Sequence, residues 1–264
     1  MKLGLSLAGG GIKGIAHIGA IKALEEENIK FDYIAGTSSG SIVATLYACG
    51  YTVNEMYNIF KEYAKDIKYV DLKNGSKLIF DLLFKRKIEI TGLNSGRSLH
   101  KLVKKICSSK GIYNICQIEK PLLIPAVNIV TEQLYAFYSK DIFNVDTKEI
   151  KYITDADISK VVQASCSYPG VFSPCEFEGE LLVDGGIAEN IPWRELKRIG
   201  ADKVLSITFK NTKPKKCCKN LFEVIDKSFS VMCKELARHE ISGTDFLIEI
   251  KHDNIGLLDC NKLD

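Results

Sequence analysis

The chain has 264 residues, 46% hydrophobic and 26% charged, a globular composition with length for one large core or a core plus an extension. No run approaches the ~18 apolar residues of a membrane span, and the glycines that interrupt the apolar start read as strand and loop rather than as a signal peptide. Nine cysteines, an odd number without a C-x-x-C pair or a nearby histidine cluster, speak against zinc and against a disulfide framework, and fit reduced thiols in a cytoplasm.

The net charge is only +3, but it is unevenly placed: residues 61–110 hold 13 Lys/Arg against 5 Asp/Glu, a surplus of 8, so the remainder nets −5. This stretch reads either as a solvated basic face or as a surface for transient contact with anionic membrane or another polyanion; with the reduced thiols the expectation is a cytoplasmic protein, peripheral at the membrane on the second reading. No nucleic-acid partner is expected.

Lys2–Ala8 alternates as a strand and runs into Gly9-Gly10-Gly11-Ile12-Lys13-Gly14. Ile15, Ala16, Ile18, Gly19, Ala20, Ala23 and Leu24 follow at spacings that suit a helix lying close on a sheet. Strand, glycine loop and helix together make a cradle for an oxyanion or a phosphate, because backbone N–H groups point outward at a helix start. A dinucleotide fingerprint would place an acidic residue at the end of the second strand, whereas Asp32 stands at its beginning. A Walker-type loop would close on Gly-Lys-Ser/Thr, whereas Lys13 is followed by Gly14.

Phe31–Ala35 is the second predicted strand. It enters Gly36-Thr37-Ser38-Ser39-Gly40-Ser41, and an apolar run, Ile42–Cys49, leaves as a helix capped by Gly50. Strand, G-x-S-x-G and helix form the pattern of a nucleophile elbow. A serine on so sharp a turn requires neighbours without a Cβ two residues away, and Gly36 and Gly40 meet that need around Ser38. Alone, the motif is also an ordinary Gly/Ser turn.

Thr52–Lys65 is predicted helical, with Val53, Met56, Tyr57, Phe60 and Tyr63 or Ala64 on one side. The apolar island Lys77–Lys87, with basic ends, reads as a short covering helix or as an interfacial lid. Ser98–Cys107 is a further helix, Leu122–Val130 and Leu134–Tyr138 are strands, and Asp157–Ala164 is a helix followed by a proline-punctuated turn to Pro174. A short strand, Leu181–Val183, ends on Asp184-Gly185-Gly186, which by itself is a tight turn. Pro192 starts a helix through Arg198, and Lys203–Phe209 is a strong strand. Lys210–Lys219 carries five lysines around Cys217-Cys218 and reads as a solvated linker, with weak grounds for lipidation of the cysteines. A long helix, Leu221–Glu240, and a last strand, Asp245–Ile250, close the chain.

Three motifs thus stand at the exits of three predicted strands, where α/β sheets place their sites. An oxyanion loop, a serine and a carboxylate are the parts needed for acyl transfer. Of the four histidines, His239 and His252 formally complete a Ser-Asp-His order but read as surface residues, and His17 reads as a packing histidine. That leaves Asp184 as direct base to Ser38, which requires a carboxylate that is close and desolvated.

Gly9–Gly14, Gly36–Gly40, Asp184–Gly186 and the stretch Ala164–Pro174 together resemble the patatin-like phospholipases, over about residues 3–210. The resemblance implies a three-layer α/β/α sandwich around a mainly parallel sheet, and hydrolysis of fatty acyl esters of phospholipids or related lipids without metal or cofactor. It implies Ser38 as nucleophile and Asp184 as general base. The backbone of Gly9, Gly10, Gly11, Ile12, Lys13 and Gly14 is the implied oxyanion loop, Gly36 and Gly40 flank the elbow, and Gly185 and Gly186 follow the base. Residues 3–210 are then the catalytic domain and 211–264 an extension packed on it. The alternatives are a non-catalytic lipid- or nucleotide-binding module on the same scaffold, or a transacylase. The oligomeric state is not legible.

Overall fold

The computed structural model describes residues 1–66, 90–141, 146–212 and 221–253, together with Ser76 and Ile255. The Lys77–Lys87 island, the Cys217-Cys218 linker and much of the basic 61–110 stretch lie outside these residues. Its centre is a nine-stranded sheet. Strand β1 (Leu3–Leu7) pairs in parallel with β2 (Tyr33–Gly36) on one side and β10 (Lys203–Asn211) on the other, and β11 (Phe246–His252) extends the sheet beyond β10. On the far side β2 meets β4 (Leu122–Asn128), again in parallel. The antiparallel members are β5 (Leu134–Tyr138) and β9 (Glu180–Asp184), both paired with β4, and β8 (Cys175–Phe177), paired with β9; β6 (Ile150–Ile153) closes the edge parallel to β5. Two short strands, β3 (Gly92–Asn94) and β7 (Gly170–Phe172), form a separate parallel pair.

Strands β1, β2 and β4 are buried almost throughout, as expected of parallel strands covered on both faces. One face carries the larger core. There Ile18 and Ile21 of α1 (Ile15–Glu26), Ile42, Val43 and Leu46 of α2 (Ser39–Ala48), and Met56 and Phe60 of α3 (Val53–Asp66) meet Leu5, Leu7 and Ile34. Val103 of α4 (Arg97–Ser109) and Val161 of α5 (Ile158–Ser165) join the same cluster. On the other face Leu196 of α6 (Trp193–Arg198) packs on Tyr33, Ala35, Leu123 and Val204. The result is a mainly parallel α/β architecture with helices on both faces of the sheet. Tyr57 departs from its predicted inward face and is 39% exposed, because the buried stripe of α3 needs only Met56, Phe60 and Ala64. A last helix, α7 (Leu221–Ile241), lies with its final turns against Ala8, Ile191 and Trp193. Among the described residues, no helix is long and apolar enough to cross a membrane.

Candidate active site

Ser38 sits between the end of β2 and the first turn of α2, with φ 54° and ψ −125°. That left-handed backbone is costly for a residue with a Cβ and persists only where the surroundings enforce it. Here they do. The Ser38 N–H donates to Ser165 Oγ at 3.0 Å, and Ser41 Oγ donates to the Ser38 carbonyl at 2.6 Å. A Cβ on Gly36 would collide with the Gly40 carbonyl, and one on Gly40 with the Leu7 carbonyl. The two glycines are therefore a steric condition of the turn, as their spacing predicts.

The glycine loop follows β1 and tightens into a 3-10 turn, Gly11–Gly14, before α1. Its N–H groups have different fates. Gly9 donates to Asn190 Oδ1 at 3.1 Å and Gly10 to Ser39 Oγ at 3.1 Å. Gly11, held at φ 60°, and Ile12 have no acceptor for their N–H groups among the described residues, and both line the cavity beside Ser38. Gly14 faces away: a Cβ there would stand 2.7 Å from the Ser39 side chain and 3.2 Å from Phe60, so its role is close packing of the loop on α2. The Lys13 ammonium lies 5.5 Å above the Phe209 ring.

Asp184 ends β9 and is 2% exposed. Its Oδ1 accepts the Gly186 N–H at 2.8 Å, whereas Oδ2 is buried with no aligned hydrogen-bond partner among the described residues. Burial pushes this carboxyl up to about 6, opposed by the neighbouring Ser38 hydroxyl and the Gly186 amide. A Cβ on Gly185 would meet the Pro125 carbonyl at 2.5 Å, so the turn after Asp184 also depends on glycine.

Gly9 to Lys13, Ser38 and Asp184 line one cavity of about 180 Å³. Its remaining wall is largely apolar and aromatic, including Phe60, Tyr63, Tyr168, Phe172 and Phe209, and α7 contributes Phe229, Cys233 and Ala237. The Phe229 ring meets Tyr168 edge-on at 5.4 Å. No histidine lines the cavity. His239 is exposed and His252 falls at the end of β11 rather than in a tail. His17 is fully buried, its Nε2 2.8 Å from the Ala8 carbonyl oxygen, and burial lowers its pKa to about 4. The arrangement brings together a serine hydroxyl, a buried carboxylate, two N–H groups without acceptors among the described residues and an apolar chamber, the kinds of group that acyl transfer requires.

Sequence reading missed Ser165, which fixes the elbow amide, and Asn190, whose side chain reaches Gly9. Asn190 stands six residues after Asp184 in a loop entering Ile191-Pro192, a faint signal; Ser165 lies in the Ala164–Pro174 stretch that carries the resemblance, but nothing local assigns it this contact. The part played by α7 in the cavity wall was equally hidden, since long-range packing leaves no local pattern.

Comparison with known proteins bears on the family and the fold. The sequence model of the family described as patatin-like phospholipase matches residues 5–197. A lysophospholipase NTE1 of Lodderomyces elongisporus is 30% identical over 215 residues, covering 78% of this chain and 12% of that protein. Its Aspergillus fumigatus namesake is 32% identical over 207 residues, with the same shares covered. The chain thus spans about an eighth of the length of these curated relatives. Among solved structures, VipD from Legionella pneumophila superposes with a TM-score of 0.50 at 16% identity, over 97% of this chain and 62% of VipD. With the three motifs gathered around one cavity and the family's sequence model covering most of the chain, this protein belongs to the patatin-like phospholipase family.

Proposed function

We propose that the chain is a serine lipid acyl hydrolase working through a Ser38–Asp184 dyad and an acyl-enzyme. The observation that carries this reading is the meeting, in one apolar cavity, of a serine on a strained elbow, a buried carboxylate with its pKa raised to about 6, and two N–H groups without acceptors among the described residues. Ser38 Oγ attacks the acyl carbonyl carbon as its proton passes to Asp184, whose raised pKa makes it a better base than an ordinary carboxylate. The tetrahedral oxyanion takes hydrogen bonds from Gly11 and Ile12 at the positive end of the helix. Collapse breaks the ester bond, and the departing alkoxide recovers the proton from Asp184. Water then attacks the acyl-Ser38 ester with Asp184 again as base, and the fatty acid leaves. The free enzyme holds Ser38 and Asp184 without full alignment, which is common before substrate enters.

The aromatic chamber suits an acyl chain, and the relatives named lysophospholipases make a lysophospholipid the first substrate to try. Residues 3–210 form the catalytic domain in this reading, 211–264 an extension, and the basic 61–110 stretch a transient contact with anionic membrane. The test is fluorophosphonate labelling of wild type and Ser38→Ala, with hydrolysis of a short nitrophenyl ester and of a lysophospholipid. Labelling confined to Ser38, with turnover of both substrates, is the expected result. A folded wild-type protein that neither labels nor turns over would refute it in favour of a binding module. Acyl transfer to an added alcohol in place of fatty-acid release would move the reading to a transacylase.

A further inference from the structure

Beyond residue 197, where the family match ends, α7 reaches back to the catalytic loops. Glu240, one residue before its end, is 2% exposed, yet its carboxylate is not idle. Oε1 accepts the Asn190 N–H at 3.0 Å and Oε2 the Ile191 N–H at 3.1 Å. The Glu240 carbonyl accepts Trp193 Nε1 at 2.7 Å, and Ala237 and Ile241 pack with Ala8, Ile191 and Trp193. One helix end therefore grips the segment 190–193 by two successive amides, an indole and apolar contact.

Asn190 and the preceding Glu189 adjoin all three motifs. The Asn190 side chain accepts the Gly9 N–H, and the Glu189 carbonyl accepts the hydroxyl of Thr37, the residue before Ser38, at 3.0 Å. A Cβ on Gly9 would stand 2.7 Å from Asn190 Oδ1 and 3.1 Å from the Ser38 Cβ; one on Gly186 would stand 3.1 Å from the same Asn190 oxygen. Asn190 is thus wedged between the glycine loop and the turn that carries Asp184. A displacement of a few tenths of an ångström in Asn190 passes directly to Gly9, and Gly9 begins the loop whose next residues present the free N–H groups. Burial and charge agree that this carboxylate is held at a cost. Glu240 is raised to about 7 by desolvation, against the two amides and Arg194, while the buried Glu189 is raised well above its usual range, in part by Glu195 and Glu240. A buried carboxylate that makes two aimed hydrogen bonds fixes the geometry of the groups it holds.

We infer that Glu240 is a positioning residue: from outside the matched family region, it sets the glycine loop against Ser38 and Asp184 through Asn190. The inference rests on the serine-hydrolase reading for its kinetic arm alone. Glu240→Gln keeps size and one acceptor but sets its amide NH2 against the second backbone N–H. The expected result is a kcat, per site titrated by fluorophosphonate, lower by about tenfold or more with KM within about twofold, since small misplacements of catalytic groups are costly in rate. Adding Glu240→Gln to Asn190→Ala should change kcat by no more than about twofold further, because both act on one path. Hydrogen exchange across Gly9–Gly14 gives a readout free of chemistry: the Gly9 amide should lose protection in Glu240→Gln. Should that variant not fold, Trp193→Phe removes the indole bond and is expected to give the same signs at smaller size. Unchanged exchange in the glycine loop, an unchanged kcat per titrated site, or fully additive losses with Asn190→Ala would each overturn the inference. An unlabelled Ser38 in wild type together with altered exchange would instead refute the hydrolase reading and keep the positioning.

Discussion

The acid limb of the pH–rate profile tests the dyad most directly. Asp184 must be ionised to accept the Ser38 proton, and burial raises it from 3.8 to about 6. With one ionisation at that value, kcat/KM at pH 5 should be about one-tenth of its plateau, whereas an unperturbed carboxylate would leave more than about nine-tenths of it. The assay is hydrolysis of a soluble nitrophenyl ester from pH 4.5 to 8, with folding checked at each pH by circular dichroism. Glu240 is raised to about 7 and titrates nearby, so the profile is also taken in Glu240→Gln, where the limb near 6 should remain. Asp184→Asn keeps an oxygen for the Gly186 N–H and removes the base. It should lower kcat/KM by about 10²–10⁴ and flatten the profile. A wild-type plateau extending to pH 4.5, or a limb near 6 that persists in an active Asp184→Asn enzyme, would show that Asp184 is not the base.

Ser38→Gly removes the Cβ from a backbone at φ 54°; it should abolish hydrolysis while stabilising the fold by about 1 kcal/mol, or about 2–4 °C in Tm by differential scanning calorimetry. Gly40→Ala would drive a Cβ into the Leu7 carbonyl, and a loss of about 3 kcal/mol or more in denaturant melts is expected. Stability should also fall as pH rises from about 4.5 to 7. The folded pKa values of Asp184 and Glu240 are raised, so the unfolded chain releases those protons first and the folded state holds more of them across this window, while buried His17, lowered to about 4, opposes part of the fall below about 6.5. Each shift of about two units corresponds to about 3 kcal/mol; Tm should be lower at pH 8 than at pH 5 by several degrees, a trend that Asp184→Asn and Glu240→Gln should each weaken. A pH dependence of Tm left unchanged by both Asp184→Asn and Glu240→Gln would contradict the burial of these carboxylates.

The local sequence was sufficient for whatever depends on neighbours along the chain. Gly36 and Gly40 announce the elbow because no other residue lacks the Cβ that would strike the adjoining backbone, and the mainly parallel sheet was implied by the resemblance that the motifs carry. The exits of β1 and β2 put the glycine loop and Ser38 at one end of the sheet, whereas Asp184 reaches them on β9, which runs antiparallel to β4, so the strand-exit rule does not account for its place. What the chain could not disclose locally is anything made by contact between distant segments. The desolvation that raises Asp184, the diversion of the Gly9 and Gly10 amides to Asn190 and Ser39, and the Ser165 hydroxyl under the elbow all arise only when several elements close around them. Short strands such as β6, β7 and β8 were invisible for the same reason, since their pairing partners rather than their own residues make them strands. Glu240 is the clearest case. On the sequence it is one more acid in a polar helix turn, and only the packing of α7 against Trp193 and Ile191 buries it beneath the loop that holds the site together.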